Sequence, residues 1–400
     1  MQRYDVAVVG AGLVGSAAAA YLAQDAGPGL CLVGPPEPAE GAAILPHTVF
    51  ASHYDAGRIQ RLTGKDATWT RLNLEATQAY AGLEAETGLR FHAPVGCLYV
   101  SPHWADDYLQ AAPALAAAAG VQATYLPDAA ALAKAVPAYR FEGTPVGWLE
   151  GGPAGIIMPR ALVAAQQSRM RQRGGRQLAA TVIGAQPEDG GYRLRLADGQ
   201  PHLWARRVLL AAGAFTNMTG VLPRPLAMTL KGELTVLAEV DADTTQRLAH
   251  LPALLYEGWF DDRDGIYLTG PMRYPNGRYY VKMGCNVPED PYFNTLAQVQ
   301  AWFADTAASQ ALLPRLRAQV EALLPGVAFA SWQLRHCIIH RTPSLRPVID
   351  QAAPGLAVVA GCNGYSAMCA DALGRLAAHQ MVHGQLPAGW DATWFAADWR

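Results

Sequence analysis

The sequence predicts an α/β protein in which a nucleotide-binding sheet domain is interleaved with a mixed-sheet α+β domain. Three observations carry this. A buried strand pattern, Tyr4 to Val9, runs into the glycine turn Gly10-Ala11-Gly12-Leu13-Val14-Gly15 and then an alanine-rich helix from Ser16. The same strand–glycine–helix order returns late in the chain, at Leu356 to Gly361, Asn363-Gly364-Tyr365 and a helix from about Ala367 to His383. Between them, Leu226 to Val287 is rich in alternating strands. Like ends around an unlike middle point to a discontinuous domain.

In the glycine turn, Gly10 makes the tight bend, Gly12 admits a pyrophosphate to the backbone and Gly15 packs helix on strand. The helix N-terminus then offers free N–H groups and a favourable dipole to that pyrophosphate, the Rossmann arrangement. Leu30-Cys31-Leu32-Val33 reads as the second buried strand. The acid that normally binds the ribose hydroxyls should close it, but Gly34 stands there and Glu37 is the nearest carboxylate. That departure argues against NAD more than against FAD.

A proline-marked loop (Pro35, Pro36, Pro38, Pro46) leads to an amphipathic helix, Trp69 to Thr87. Phe91 to Ser101 alternates as a strand, Asp106 to Ala119 reads as a helix, and Gly151-Gly152-Pro153 turns into a helix over Pro159 to Arg173. Strands follow at Ala179 to Gln186, Tyr192 to Leu196 and Val208 to Ala212, the last ending at Gly213. The middle block holds strands at Glu233 to Val240, Gly265 to Leu268 and Arg278 to Met283, then a helix over Leu312 to Leu324. The expected domains are residues 1–83, 146–215 and 326–385 for the nucleotide, 84–145 and 216–325 for the substrate, with 386–400 as a tail.

With 51% hydrophobic and 16% charged residues in 400, a sizeable core is expected. The formal charge of −2 and the lack of a basic run disfavour nucleic acid and anionic membranes as partners. Apolar runs are too short to span a bilayer, and no signal-like segment precedes the first strand, so the expected location is the cytoplasm. Six scattered cysteines form neither a disulfide framework nor a zinc pattern. His336 and His340 lack a third ligand, so no metal is expected.

Three further places offer chemistry. Cys337 opens Cys337-Ile338-Ile339-His340-Arg341-Thr342-Pro343, which runs on to Asp350. Its basic neighbours Arg335 and His336 would lower a thiol pKa, although a cysteine in an apolar segment is equally a small buried hydrophobe. Lys282 is the one cation in Tyr279 to Gly284, a lysine that would also suit a solvated strand face. Arg58 and Arg61, three apart after Ser52-His53, share a face if the segment is helical, and arginine suits a carboxylate.

In their order along the chain, these blocks resemble the monomeric sarcosine oxidase and N-methyltryptophan oxidase family of FAD-dependent amine oxidases, within the D-amino-acid-oxidase-like flavoproteins. The resemblance covers nearly the whole chain, with specific terminal blocks and a weak middle. It implies FAD held by Gly10, Gly12, Val14, Gly15, Ser52, Val182, Gly213, Gly364, Tyr365 and Met368, and tethered through Cys337. It implies Lys282 as the cation that promotes oxygen reduction, Arg61 as the substrate-carboxylate arginine and Arg58 as one beside the flavin.

The chain also departs from that pattern. Met368 replaces a second carboxylate-binding lysine, Leu268 a pocket tyrosine and Asn286 a pocket histidine. The expected activity is therefore oxidation of a secondary or cyclic amine or amino acid, giving an imine and hydrogen peroxide from molecular oxygen, with sarcosine itself disfavoured. A dehydrogenase using another acceptor, or a flavin-binding protein without turnover, stays open.

Overall fold

The computed structural model describes residues 1–102, 106–260 and 264–400. An eight-stranded sheet runs Val182–Glu188, Gly191–Leu196, Leu203–Leu210, Gln2–Val9, Leu30–Gly34 and Arg176–Ala179. Leu356–Ala360 joins the far half of Leu203–Leu210 in parallel, and Val348–Ala353 pairs antiparallel beyond it. Its central strands are apolar on both faces because both are covered. Val6 and Val8 sit in one buried cluster, Ala7 and Val9 in another.

The alanine-rich helix Leu13–Ala26 packs tightly on the late helix Ala370–His383. A Cβ at Gly374 would lie 2.4 Å from Ala17 Cβ, so only small residues permit this approach. Asp66 caps the Ala67–Thr87 helix by accepting from Trp69 N at 2.8 Å.

The second sheet runs Tyr292–Phe293, Thr229–Val240, Tyr279–Cys285, Asp264–Arg273, Ala253–Phe260, Cys97–Ser101, Val146–Glu150 and Ala123–Leu126. Trp332–Arg341 adds to Thr229–Val240 along ten register pairs. Residues 146–150 and 332–341, expected in the nucleotide domain, therefore belong by hydrogen bonding to the substrate sheet. The 332–341 strand enters that sheet before the chain returns to the first at Val348. Residues 386–400 are no loose tail: Trp399 bridges Leu226, and Trp394 and Phe395 are buried.

A small third sheet joins Arg58–Gln60, Gly155–Ile157 and His92–Ala93. No helix among the described residues is long and apolar enough to cross a membrane.

Candidate active site

A largely apolar cleft follows the C-terminal edge of the first sheet. Gly10, Gly12, Val14, Ser52, Val182 and Gly213 line it. Gly10 has φ +116°, and a Cβ there would lie 2.3 Å from Ala211 O. Gly15 does not line the cleft but lets the helix seat, since its Cβ would fall 1.8 Å from Gly10 O. Gly12 caps the helix without a side-chain hydrogen bond, leaving the first N–H groups to a ligand. Gly34 has a steric cause: a Cβ would stand 2.6 Å from Ala11 N. Glu37 does not replace the missing acid, because Arg160 holds it at 2.9 Å. The glycine cradle, uncapped helix and long apolar cleft fit an adenine dinucleotide.

Cys337, Gly364, Tyr365 and Met368 do not line this cleft. For Cys337 the reason is strand alternation: Ile338 and His340 point into the cleft, Cys337 to the opposite face. His340, set aside as a metal ligand, has a structural task. Its Nε2 accepts from Gly361 N at 2.9 Å and Cys362 N at 3.0 Å, shaping the glycine-rich turn. Its Nδ1 lies 3.2 Å from Cys362 Sγ, and burial pushes the imidazole down to about 4. His53 lies 3.6 Å from where a Gly12 Cβ would be and is pushed by burial to about 4. The Thr342-Pro343 and Asp350 spacing is architectural. Thr342 N donates to Asn363 Oδ1 at 2.9 Å, and Asp350 accepts from Ala397 N at 3.0 Å.

The opposite face carries a buried cluster of charged side chains. Lys282 is fully buried, not on a solvated face. Its Nζ binds Asp55 and donates to Gly57 O at 2.9 Å. Burial, then the Arg58 charge, pushes this ammonium well below its ordinary value. Asp55 is the hub that sequence reading missed. It also pairs with Arg58 and accepts from Tyr274 OH and Ala56 N, each at 2.8 Å. An acid three residues before an arginine in an apolar stretch was the only local signal.

Arg58 Nη2 lies 3.9 Å from Cys337 Sγ. Burial pushes that thiol up and Arg58 opposes it. Arg58 therefore takes the part assigned to Arg335 and His336. Arg335 reaches out to Glu40 at 3.2 Å, and His336 stacks on Trp302 at 3.8 Å.

Because Arg58–Gln60 is a strand, Arg58 and Arg61 do not share a face. The Arg61 guanidinium lies 4.5 Å from the Tyr108 ring centroid and 5.3 Å from that of Tyr365. Its Nε is buried without a hydrogen-bond partner, and it forms no ion pair among the described residues. Burial works against its charge, yet Tyr108 and Tyr365 hold the pKa above its ordinary value. Glu150 fixes the loop by accepting from Leu62 N at 2.6 Å and Thr63 N at 2.8 Å.

The expected apolar pocket needs correction. Leu268 is fully buried in the core behind the sheet, while Tyr267 faces forward, its ring centroid 4.9 Å from Lys282 Nζ. The tyrosine is present one residue from where the sequence placed its loss. Asn286 accepts from Lys231 Nζ at 2.6 Å, so a cation stands where only a lost histidine was expected. Met368 is buried and apolar, but Lys65 Nζ lies 4.2 Å from the neighbouring Tyr365 ring.

Comparison with known proteins agrees with this architecture. The family model for FAD-dependent oxidoreductases of the DAO type matches residues 5–380, and the chain belongs to that family. FAD is accordingly the dinucleotide whose nucleotide part fits the glycine-lined cleft. Among solved structures, NikD, an unusual amino acid oxidase of nikkomycin biosynthesis, superposes with TM-score 0.76 at 20% identity, over 100% of this chain and 98% of that one. Glycine oxidase from Geobacillus kaustophilus gives TM-score 0.71 at 18% identity, over 99% and 98%. A curated relative, the bifunctional protein MnmC of tRNA 5-methylaminomethyl-2-thiouridine biosynthesis from Paracidovorax citrulli (strain AAC00-1), is 27% identical over 396 residues. That match takes in 96% of this chain and 58% of the relative's length.

Proposed function

We propose that this chain is an oxidase of a secondary or cyclic amine carrying a carboxylate, releasing an imine and hydrogen peroxide, with FAD tethered through Cys337. The observation that carries the reading is the buried Lys282 ammonium on the same sheet face as Cys337, with Arg58 and Asp55 between them. Burying a lysine is costly, and that cost supports a role for its charge in the reaction.

Bound FAD supplies the two-electron acceptor for hydride leaving the carbon beside the substrate nitrogen. The side chains do the rest. Arg61, with its buried unpaired Nε, holds the substrate carboxylate. Lys282, positioned by Asp55 and Gly57 O, stabilises the negative charge that develops as molecular oxygen takes up electrons. Arg58 supports the Cys337 thiolate. Met368, buried and apolar where the resemblance implies a second cation, favours a substrate larger than sarcosine.

The test is a peroxide assay on purified protein across a panel of N-alkyl and cyclic amino acids and their decarboxylated counterparts. Peroxide from the carboxylates, with poor turnover of the counterparts, supports the reading. Rapid substrate-driven bleaching of the flavin bands without peroxide, relieved by a quinone, would instead favour the dehydrogenase.

A further inference from the structure

The face that carries Cys337 and Lys282 also carries an acid without a close partner. Glu233 lies directly across from Cys337 in the antiparallel register. Two-residue steps along its strand reach Thr235 and then Leu237, which lies across from Lys282. Glu233, Cys337 and Lys282 therefore project from the same side of the sheet.

The Glu233 side chain is 15% exposed and accepts no hydrogen bond among the described residues. Its nearest cation, Lys231 Nζ, is 4.0 Å away and is already held by Asp290 at 2.7 Å and Asn286 Oδ1 at 2.6 Å. Arg58 and Lys282 are both committed to Asp55. Arg341 feels the Glu233 charge but forms no ion pair with it. The register therefore sets the carboxyl on the face of Cys337 and Lys282, with the cations of that face already committed elsewhere. A largely desolvated carboxylate with no donor is unfavourable until something supplies one.

We propose that Glu233 recognises a protonated nitrogen of the substrate, either the amine to be oxidised or a second basic group on the same molecule. This rests on the small-amine reading above and adds the group that selects the amine. If the nitrogen is the reacting one, an N–H bond breaks and a Glu233 O–H bond forms. The nitrogen keeps its lone pair, the carboxyl becomes neutral, and no electrons leave the substrate in that step. Burial, which lifts the Glu233 carboxyl above its ordinary range against the pull of Lys231, suits it to hold that proton.

The test uses purified holoenzyme and three non-oxidisable probes: benzamidinium, its neutral analogue benzamide, and benzoate. Binding is followed by calorimetry and by the perturbation of flavin absorption. Glu233→Gln should weaken benzamidinium about tenfold or more and leave benzamide within about twofold, as expected for a lost charge-assisted contact. Glu233→Asp should restore part of the difference. Equal effects on cation and neutral analogue, or none on either, would overturn the proposal. Arg61→Met should weaken benzoate alone, so a failure there removes the carboxylate reading without touching Glu233. The two nitrogen sources separate in turnover of N-methylalanine and Nα-methyllysine by Glu233→Gln. A raised KM for both assigns the reacting amine, a raised KM for the lysine derivative alone assigns the second group, and no change in either contradicts the proposal.

Discussion

Lys282→Met removes a fully buried ammonium while keeping a stem of similar length. Two contacts are lost, one to Asp55 and one to Gly57 O. Asp55 is not stranded, because Arg58, Tyr274 OH and Ala56 N remain. The stability cost is therefore about 1–3 kcal/mol, that of one unsatisfied carbonyl and a thinner ion network. It stays below the roughly 3–5 kcal/mol expected when a buried partner is left alone. The effect on chemistry is larger. Removing one pre-placed group aimed at developing negative charge costs about 2.7–4 kcal/mol, roughly a hundredfold to a thousandfold in rate. Stopped-flow absorption separates the half-reactions: anaerobic mixing with substrate reads reduction, and mixing the reduced protein with oxygen reads reoxidation. Reoxidation should slow by that factor, with reduction changed far less. Wild-type reoxidation in a folded Lys282→Met protein would refute the reasoning.

Arg58→Met should leave the flavin bound but mostly extractable by denaturant, because the cation opposing burial of the Cys337 thiol is gone; full retention in the acid pellet would count against it. Arg61→Ala should raise KM for a carboxylate substrate by about tenfold or more and leave its decarboxylated analogue nearly unchanged; equal effects would remove the carboxylate role. Gly34→Asp should not improve nucleotide binding, since its Cβ would meet Ala11 N at 2.6 Å; a loss of about 1–3 kcal/mol from overpacking is expected in urea unfolding. Acid should weaken the fold through His340, because burial pushes its pKa from the ordinary 6.5 down to about 4. Below about pH 6.5 the unfolded chain takes a proton that folded His340 refuses, so stability falls toward pH 4 by on the order of 3 kcal/mol. His340→Gln should lack that share of the slope, and an unchanged slope would show that the imidazole titrates freely.

The parts of the site set by local geometry were legible in the sequence. Gly10, Gly12 and Gly15 act within six residues of one another, and their spacing states the turn, the approach and the packing. Cys337 was legible as a position but not as a direction. Spacing to Pro343 and Asp350 marks the segment, whereas its face depends on a register with Thr229–Val240 about a hundred residues earlier. The same parity problem put the pocket on Leu268 when Tyr267 faces it, on a strand whose register shifts between Thr269 and Met272. Asp55 was invisible as a hub because its partner Lys282 lies 227 residues away. Arg58 and Arg61 would share a face only on a helix, and the three-residue strand Arg58–Gln60 separates them.

The most direct test is the intact mass of the purified protein under denaturing conditions. The account predicts the polypeptide mass plus one FAD for the wild type and the bare polypeptide for Cys337→Ser, which would put the flavin on the face shared by Cys337, Lys282 and Glu233. A bare polypeptide mass for the wild type, with all flavin free in solution, would contradict the tether through Cys337.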